Sequence, residues 1–251
     1  MSTTSVRGTI RGLGTRANPA FATGIVALPL AALAYVAAFG TVQQHTYVHV
    51  MAGILWTGID LFMALVLGPV VGGLDLDERA SFFERLTPKT TFLLPTLALV
   101  TIAGGVTLAL RLPYLFEHPH VWLAILTALS LVPSLALVGW QLDVLDDWRW
   151  QAWFGLAVAV SGAYLAATLP NFAWTEPVFV AAILVVAALS VLGFGVLMPG
   201  EIRMYREMTS ANPDKQLIAD IGMRNAKLGG VQGALQLVVV ATMVYIRYGG
   251  F

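Results

Sequence analysis

The sequence predicts an all-α protein, a polytopic transmembrane helix bundle of about seven spans, and three observations predict it. Hydrophobic residues make up 58% of the chain and charged residues only 11%, whereas a soluble domain carries roughly 25% charge. Apolar runs recur that reach the roughly 20 residues a helix needs to cross a hydrocarbon core of about 30 Å. The charges are confined to short clusters between those runs. The 14 Lys and Arg balance 14 Asp and Glu, so nothing resembles a nucleic-acid surface and partners in the lipid phase are favoured. The absence of cysteine excludes disulfides, thiolate-held iron–sulfur clusters and thiol catalysis, leaving histidine, methionine and carboxylates as ligands. The whole chain reads as a single integral domain of the cell membrane, crossing it several times.

The first twenty residues hold Arg7, Arg11 and Arg16 without an acid and lead into a long apolar run. A signal peptide would have a shorter apolar region and a small-residue cleavage site, so residues 1–20 read as a basic cytoplasmic tail before a retained helix. Spans are expected at about Phe21 to Phe39, Tyr47 to Val71, Thr91 to Leu110, Val121 to Trp140, Ala152 to Leu169, Val178 to Met198 and Leu228 to Ile246. The tail, the Asp75 to Lys89 loop, the Asp143 to Arg149 loop and the segment from Glu201 to Lys227 hold every Lys and Arg except Arg111 and Arg247. Loops rich in these residues stay in the cytoplasm, which predicts the N-terminus inside and the C-terminus outside. Residues 199–227 read as a cytoplasmic connector with a short helix around Gln216 to Met223, started by Asn212, Pro213 and Asp214. Pro69 and Pro199 each end an inward-running span before a charged segment, a hint of duplicated hairpins.

This topology gathers the four histidines, His45, His49, His118 and His120, near the outer face, where Glu117 joins them. Metal or heme ligation needs several imidazole lone pairs aimed at one point, so all four are candidate metal ligands. At 3.6 residues per turn, His45, His49, Ala52, Trp56, Asp60, Met63 and Leu67 form one stripe of the second span, with Val50, Leu61 and Leu65 opposite. A polar stripe in lipid must face protein or a cavity. Asp60 lies about half-way through the bilayer, where a carboxylate costs at least about 2.5 kcal/mol and function is the first hypothesis. Gln232, Gln236, Thr101 and Tyr164 are its possible partners, and Asp60 is the candidate catalytic residue.

The residues HVMAGILWTG at 49–58, then Gly68 and Pro69, then FERLTP at 83–88 leading into a helix with Gly104 and Gly105, resemble the CopD and HemJ-like superfamily of small polytopic membrane proteins. The resemblance covers about residues 45–112. In the HemJ branch, which includes a protoporphyrinogen oxidase, a histidine seven residues before a tryptophan is a heme ligand, and His49 and Trp56 match that spacing. The branch also has a Lys four residues after a Trp in a later span, where this chain has Leu126 after Trp122. The resemblance thus implies one heme ligand, His49, with Trp56 at the family spacing, without implying protoporphyrinogen oxidation; helical spacing alone adds His45 to the candidate cofactor site.

Three functions are compatible with these residues. The leading one is a heme b redox protein or membrane oxidoreductase, with His49 as an axial ligand, another histidine as the second, and a quinone or redox protein as its electron partner. The alternative is copper binding or transport of CopD type, using the histidines with Met51 and Met243 as soft ligands. The third is an accessory subunit of a larger redox complex, packing through Gly193 and Gly195 or Gly229 and Gly233.

Overall fold

The computed structural model describes residues 6–112 and 118–249. Among them there are helices and no strand, and seven helices are long and apolar enough to cross a membrane. A short amphipathic helix, α1 (Val6–Ala17), precedes the spans α2 (Pro19–Ala38), α3 (Val42–Gly72), α4 (Leu76–Arg111), α5 (Pro119–Gln141), α6 (Trp148–Thr168), α7 (Pro177–Met208) and α8 (Lys215–Tyr248). The exposed surface is apolar: Leu28 and Leu65 are 74% and 71% exposed. Exposed aromatics sit at both ends of the bundle, with Trp140, Trp148 and Trp153 at one and Tyr47, Phe39 and Trp174 at the other. Tryptophan and tyrosine concentrate at the two membrane–water interfaces because their rings are amphipathic. The protein is a multi-pass membrane helix bundle.

The helices are longer than the apolar runs alone indicate. Residues 76–89, expected as a loop, are the first turns of α4, because Asp75 and Glu78 form a reciprocal capping box, with Asp75 accepting from Glu78 N at 2.9 Å. Such a box satisfies two backbone donors left open at the start of a helix, and the helix then continues through Pro88 and Pro95. The expected connector at 199–227 is likewise mostly helical. Asp214 caps α8 through Leu217 N at 3.0 Å, as its start signal foretold, but the helix runs unbroken into the last span. These extensions hold together through a cluster of Val71, Ala80, Phe83, Met204, Ile218 and Ile221 below the spans. The tail is also folded: Leu13 and Ala17 of α1 are buried, and Gly12 lies against the Tyr205 hydroxyl.

The two prolines singled out as a possible duplication mark matching structures. A π-helical turn, Met63–Leu67, precedes Pro69, and another, Val191–Leu197, precedes Pro199. Proline has no N–H and its ring crowds the carbonyl four residues back, so the preceding turn widens. In each hairpin the returning helix starts on an aspartate cap, Asp75 and Asp214. The two hairpins, α3 with α4 and α7 with α8, pack against one another to form the centre of the bundle, while α5 and α6 flank them.

Candidate functional site

The stripe on α3 faces protein as its periodicity requires: His45, Ala52, Trp56 and Asp60 are buried and His49 is half-buried. Val50 and Leu65 face outward. Leu61, expected on that outward side, packs instead on Gly233 of α8, where a Cβ would come within 2.7 Å of its Cδ2. The stripe holds two separate polar sites.

The first site surrounds the histidines. His49 Nδ1 lies 2.8 Å from the carbonyl oxygen of Thr101 on α4. A carbonyl can only accept, so Nδ1 carries the proton and Nε2 keeps its lone pair. The ring lies on the backbone of Gly104 and Gly105; a Cβ on Gly105 would stand 3.0 Å from His49 Cε1. These glycines therefore set how closely α3 and α4 approach. One turn away, fully buried His45 is committed on both sides. Its Nδ1 accepts from Arg111 at 3.3 Å, which fixes the proton on Nε2, and that nitrogen faces the Thr107 hydroxyl at 3.0 Å. Thr107 in turn donates to Ala103 O at 2.7 Å. Arg111 also donates to the Val36 and Gly40 carbonyls at 3.0 and 2.8 Å, tying the end of α2 to α4.

The remaining histidines do not join this site. His118 stands just before the first turn of α5 without a side-chain capping bond and His120 lies in that turn, with His120 Nδ1 3.3 Å from the Tyr164 hydroxyl of α6. The helix α5 packs mainly on α6 and α7 rather than α3. Among the described residues no three of His, Asp or Glu gather as a metal set, so the expected four-histidine cluster is not formed by them. Topology alone predicted the shared face, and a shared face does not by itself bring residues on different helices together laterally. Glu117 lies outside the described residues. Met51 and Met243 are both surface-exposed, and Leu126, at the place of the family lysine, packs in an apolar cluster with Val121, Trp122 and Ile183.

The second site lies deeper. Asp60 Oδ2 accepts from Gln232 Nε2 at 2.8 Å and from Gln236 Nε2 at 3.1 Å. The two glutamines are one helical turn apart on α8, so both amides reach one carboxyl group. Of the other expected partners, the Thr101 hydroxyl donates to Leu97 O at 2.7 Å and the Tyr164 hydroxyl lies beside His120. Gly229 lets α8 pass beside Asp60, 3.7 Å from its Oδ1 to a Cβ placed there. Trp56 belongs here rather than beside the His49 ring: its indole packs with Leu97, Ala98 and Leu189. Its Nε1 has no hydrogen-bond partner among the described residues. From His49 to Asp60 the helix rises about 16 Å at 1.5 Å per residue, so the two sites do not touch.

One residue of this deep site escaped the sequence reading. Glu201 of α7 borders the same cavity as Trp56 and Gln232, faces the Thr90 and Thr91 hydroxyls of α4, and lies within electrostatic reach of Asp60. Its position after Pro199 and before Arg203 and Arg206 made it look like the first residue of a solvated connector. The available signal was that α7 continues through Pro199, which the π turn makes possible. The small residues proposed for docking to another subunit are spent inside the bundle: Gly193 lies against Gln232, Gly195 against Ser134 and Leu137, and Gly229 and Gly233 against α3.

The chain matches no protein-family profile, no curated protein and no solved structure.

Proposed function

We propose that this protein is a membrane heme b-binding redox protein in which His49 would hold the iron through Nε2. The observation that carries the reading is the hydrogen bond from His49 Nδ1–H to Thr101 O. A backbone carbonyl behind the ring fixes the tautomer, orients the imidazole and raises the basicity of Nε2, which is the arrangement a ligating histidine needs. The spacing from His49 to Trp56, similar to that of HemJ-like proteins, supports it. His45 does not fit as the second ligand, because Arg111 and Thr107 occupy both of its nitrogens; its role is to hold α2, α3 and α4 in register around His49.

A bound heme would supply one-electron redox chemistry, which the ligating imidazole and the polarity around it would tune. The chain supplies the ligand and the two glycines on which the His49 ring rests. On this reading the electron partner is a quinone or a redox protein in the same membrane. Copper is the weaker reading, since Met51 and Met243 do not converge with the histidines.

The test is an oxidised-minus-reduced absorbance spectrum with elemental analysis of the same purified sample, expressed with heme supplementation. A Soret band that disappears in His49→Ala and survives in His120→Ala is expected. A wild-type sample without the band, or a band retained in His49→Ala, overturns the reading.

A further inference from the structure

We propose that α3, α7 and α8 enclose a water-binding site, in which two ordered water molecules join Trp56, Gln232 and Glu201. The inference concerns the deep site alone and holds without the heme reading. The three side chains come from different helices and border one cavity, whose walls are otherwise apolar, among them Pro95, Ala98, Phe194 and Met198. The cavity leaves about 30 Å³ for the centres of water molecules. A water needs about 10–15 Å³ by that measure, so two fit.

The backbone of α7 makes this room. Its π-helical turn, Val191–Leu197, comes just before Pro199, and Gly193 and Phe194 of that turn line the cavity. Single π turns inside α-helices recur at functional sites. A Cβ on Gly193 would stand 3.3 Å from Gln232 Oε1. The glycine thus leaves that oxygen open to the cavity.

Each of the three polar side chains brings one buried atom that has no hydrogen-bond partner among the described residues: Trp56 Nε1, Gln232 Oε1 and Glu201 Oε2. Trp56 and Gln232 are only 3% and 2% exposed. The Gln232 amide cannot relieve this by turning over, because its nitrogen donates to the Asp60 carboxyl group at 2.8 Å. In the interior of a membrane protein an unpaired N–H or oxygen is costly, and a confined water with two to four polar neighbours removes the cost.

The mixture of groups selects the occupant. The indole N–H only donates, and the Gln232 oxygen only accepts. Water accepts from Trp56 and donates to Gln232, and it serves Glu201 in either protonation state, donating to the carboxylate or accepting from the acid. A bare cation would face the positive end of the Trp56 N–H, and among the described residues no three of His, Asp or Glu gather to hold one. An acyl chain would satisfy none of the three atoms. The waters are therefore a polar contact among α3, α7 and α8 at a level where Trp56 otherwise packs in an apolar cluster.

The test is NMR of the isotope-labelled full chain in lipid nanodiscs, reading magnetisation transfer from water to the indole N–H protons, with the Trp56 signal assigned through Trp56→Phe. The expected result is a direct water cross-peak at the Trp56 indole. The backbone amide of Val100, a fully buried residue of α4, sets the background of indirect transfer. Ala98→Leu and Gly193→Val, which fill the cavity, should each lose the cross-peak while keeping the Trp56 signal. Thermal unfolding of both variants verifies folding, and either folded variant alone suffices. A wild-type Trp56 signal with no more transfer than Val100 overturns the proposal, as does a cross-peak that persists in a folded, filled variant. A Trp56 signal that shifts when sodium or potassium replaces choline at constant ionic strength overturns it in favour of a cation, and cross-peaks to lipid methylene protons overturn it in favour of an acyl chain.

Discussion

Severing the bond between Asp60 and Gln232 gives the sharpest measure of what holds the two hairpins together. Gln232 donates to Oδ2 at 2.8 Å and Gln236 at 3.1 Å, and all three side chains are at most 4% exposed. A hydrogen bond to a charged partner contributes about 1.5–3 kcal/mol in soluble proteins. Within membranes, double-mutant cycles on side-chain hydrogen bonds average about 0.6 kcal/mol with a maximum near 1.7, because the separated helices find other partners. A buried carboxyl group with two amide donors belongs at the upper end, so the expected coupling between residues 60 and 232 is about 1–2 kcal/mol. The coupling between 60 and 236 should be smaller, in keeping with the longer bond. The cycle consists of Asp60→Leu, Gln232→Leu and the double variant, with unfolding followed in mixed detergent micelles. Each single change orphans a buried polar group, so the double variant should be less destabilised than the sum of the singles. Costs that add to within about 0.5 kcal/mol would mean that the pair contributes nothing.

Other perturbations probe the neighbouring contacts. Arg111→Lys should destabilise the protein by about 1–3 kcal/mol in thermal unfolding, because an ammonium group cannot reproduce the guanidinium fork that serves Val36, Gly40 and His45 together; unchanged stability would refute the clasp. Gly105→Val should displace the His49 ring, since even a Cβ stands 3.0 Å from Cε1, at about 1–3 kcal/mol, and should abolish any heme absorbance seen in the wild type. Asp75→Ala removes the capping box of α4 and should cost about 1 kcal/mol, read as faster amide exchange in residues 76–80. Gly233→Leu should push α8 away from Leu61 and lower the unfolding temperature more than Gly58→Leu, since Gly58 has open space where a Cβ would be.

The need for a deep polar site at Asp60 was legible in the sequence because the bilayer imposes a simple rule. A carboxyl group in the middle of a span must find a polar partner, but the sequence left Gln232, Gln236, Thr101 and Tyr164 equally open, and only the packing of α8 on α3 selected the two glutamines. The capping signals at Asp75 and Asp214 were equally local, although the ends of the helices were not. Hydropathy marks where a helix is apolar, not where it stops, and the extensions at 76–89 and 199–227 are polar on one side and packed on the other. Glu201 was hidden for that reason.

The sequence by itself determined the class of the protein, the faces that its α3 stripe must bury and the presence of imidazole and carboxyl groups in the spans. Those follow from composition and periodicity, which act along the chain. Only the tertiary structure decided which polar groups meet. It separated His120 from His49, since helices sharing a membrane face need not be neighbours, and committed His45 to Arg111 and Thr107. It also turned Trp56 and Glu201 towards one cavity with Gln232. Lateral packing of helices sets these distances through close contacts such as Gly104 on His49 and Gly233 on Leu61, and no spacing within a single span encodes them.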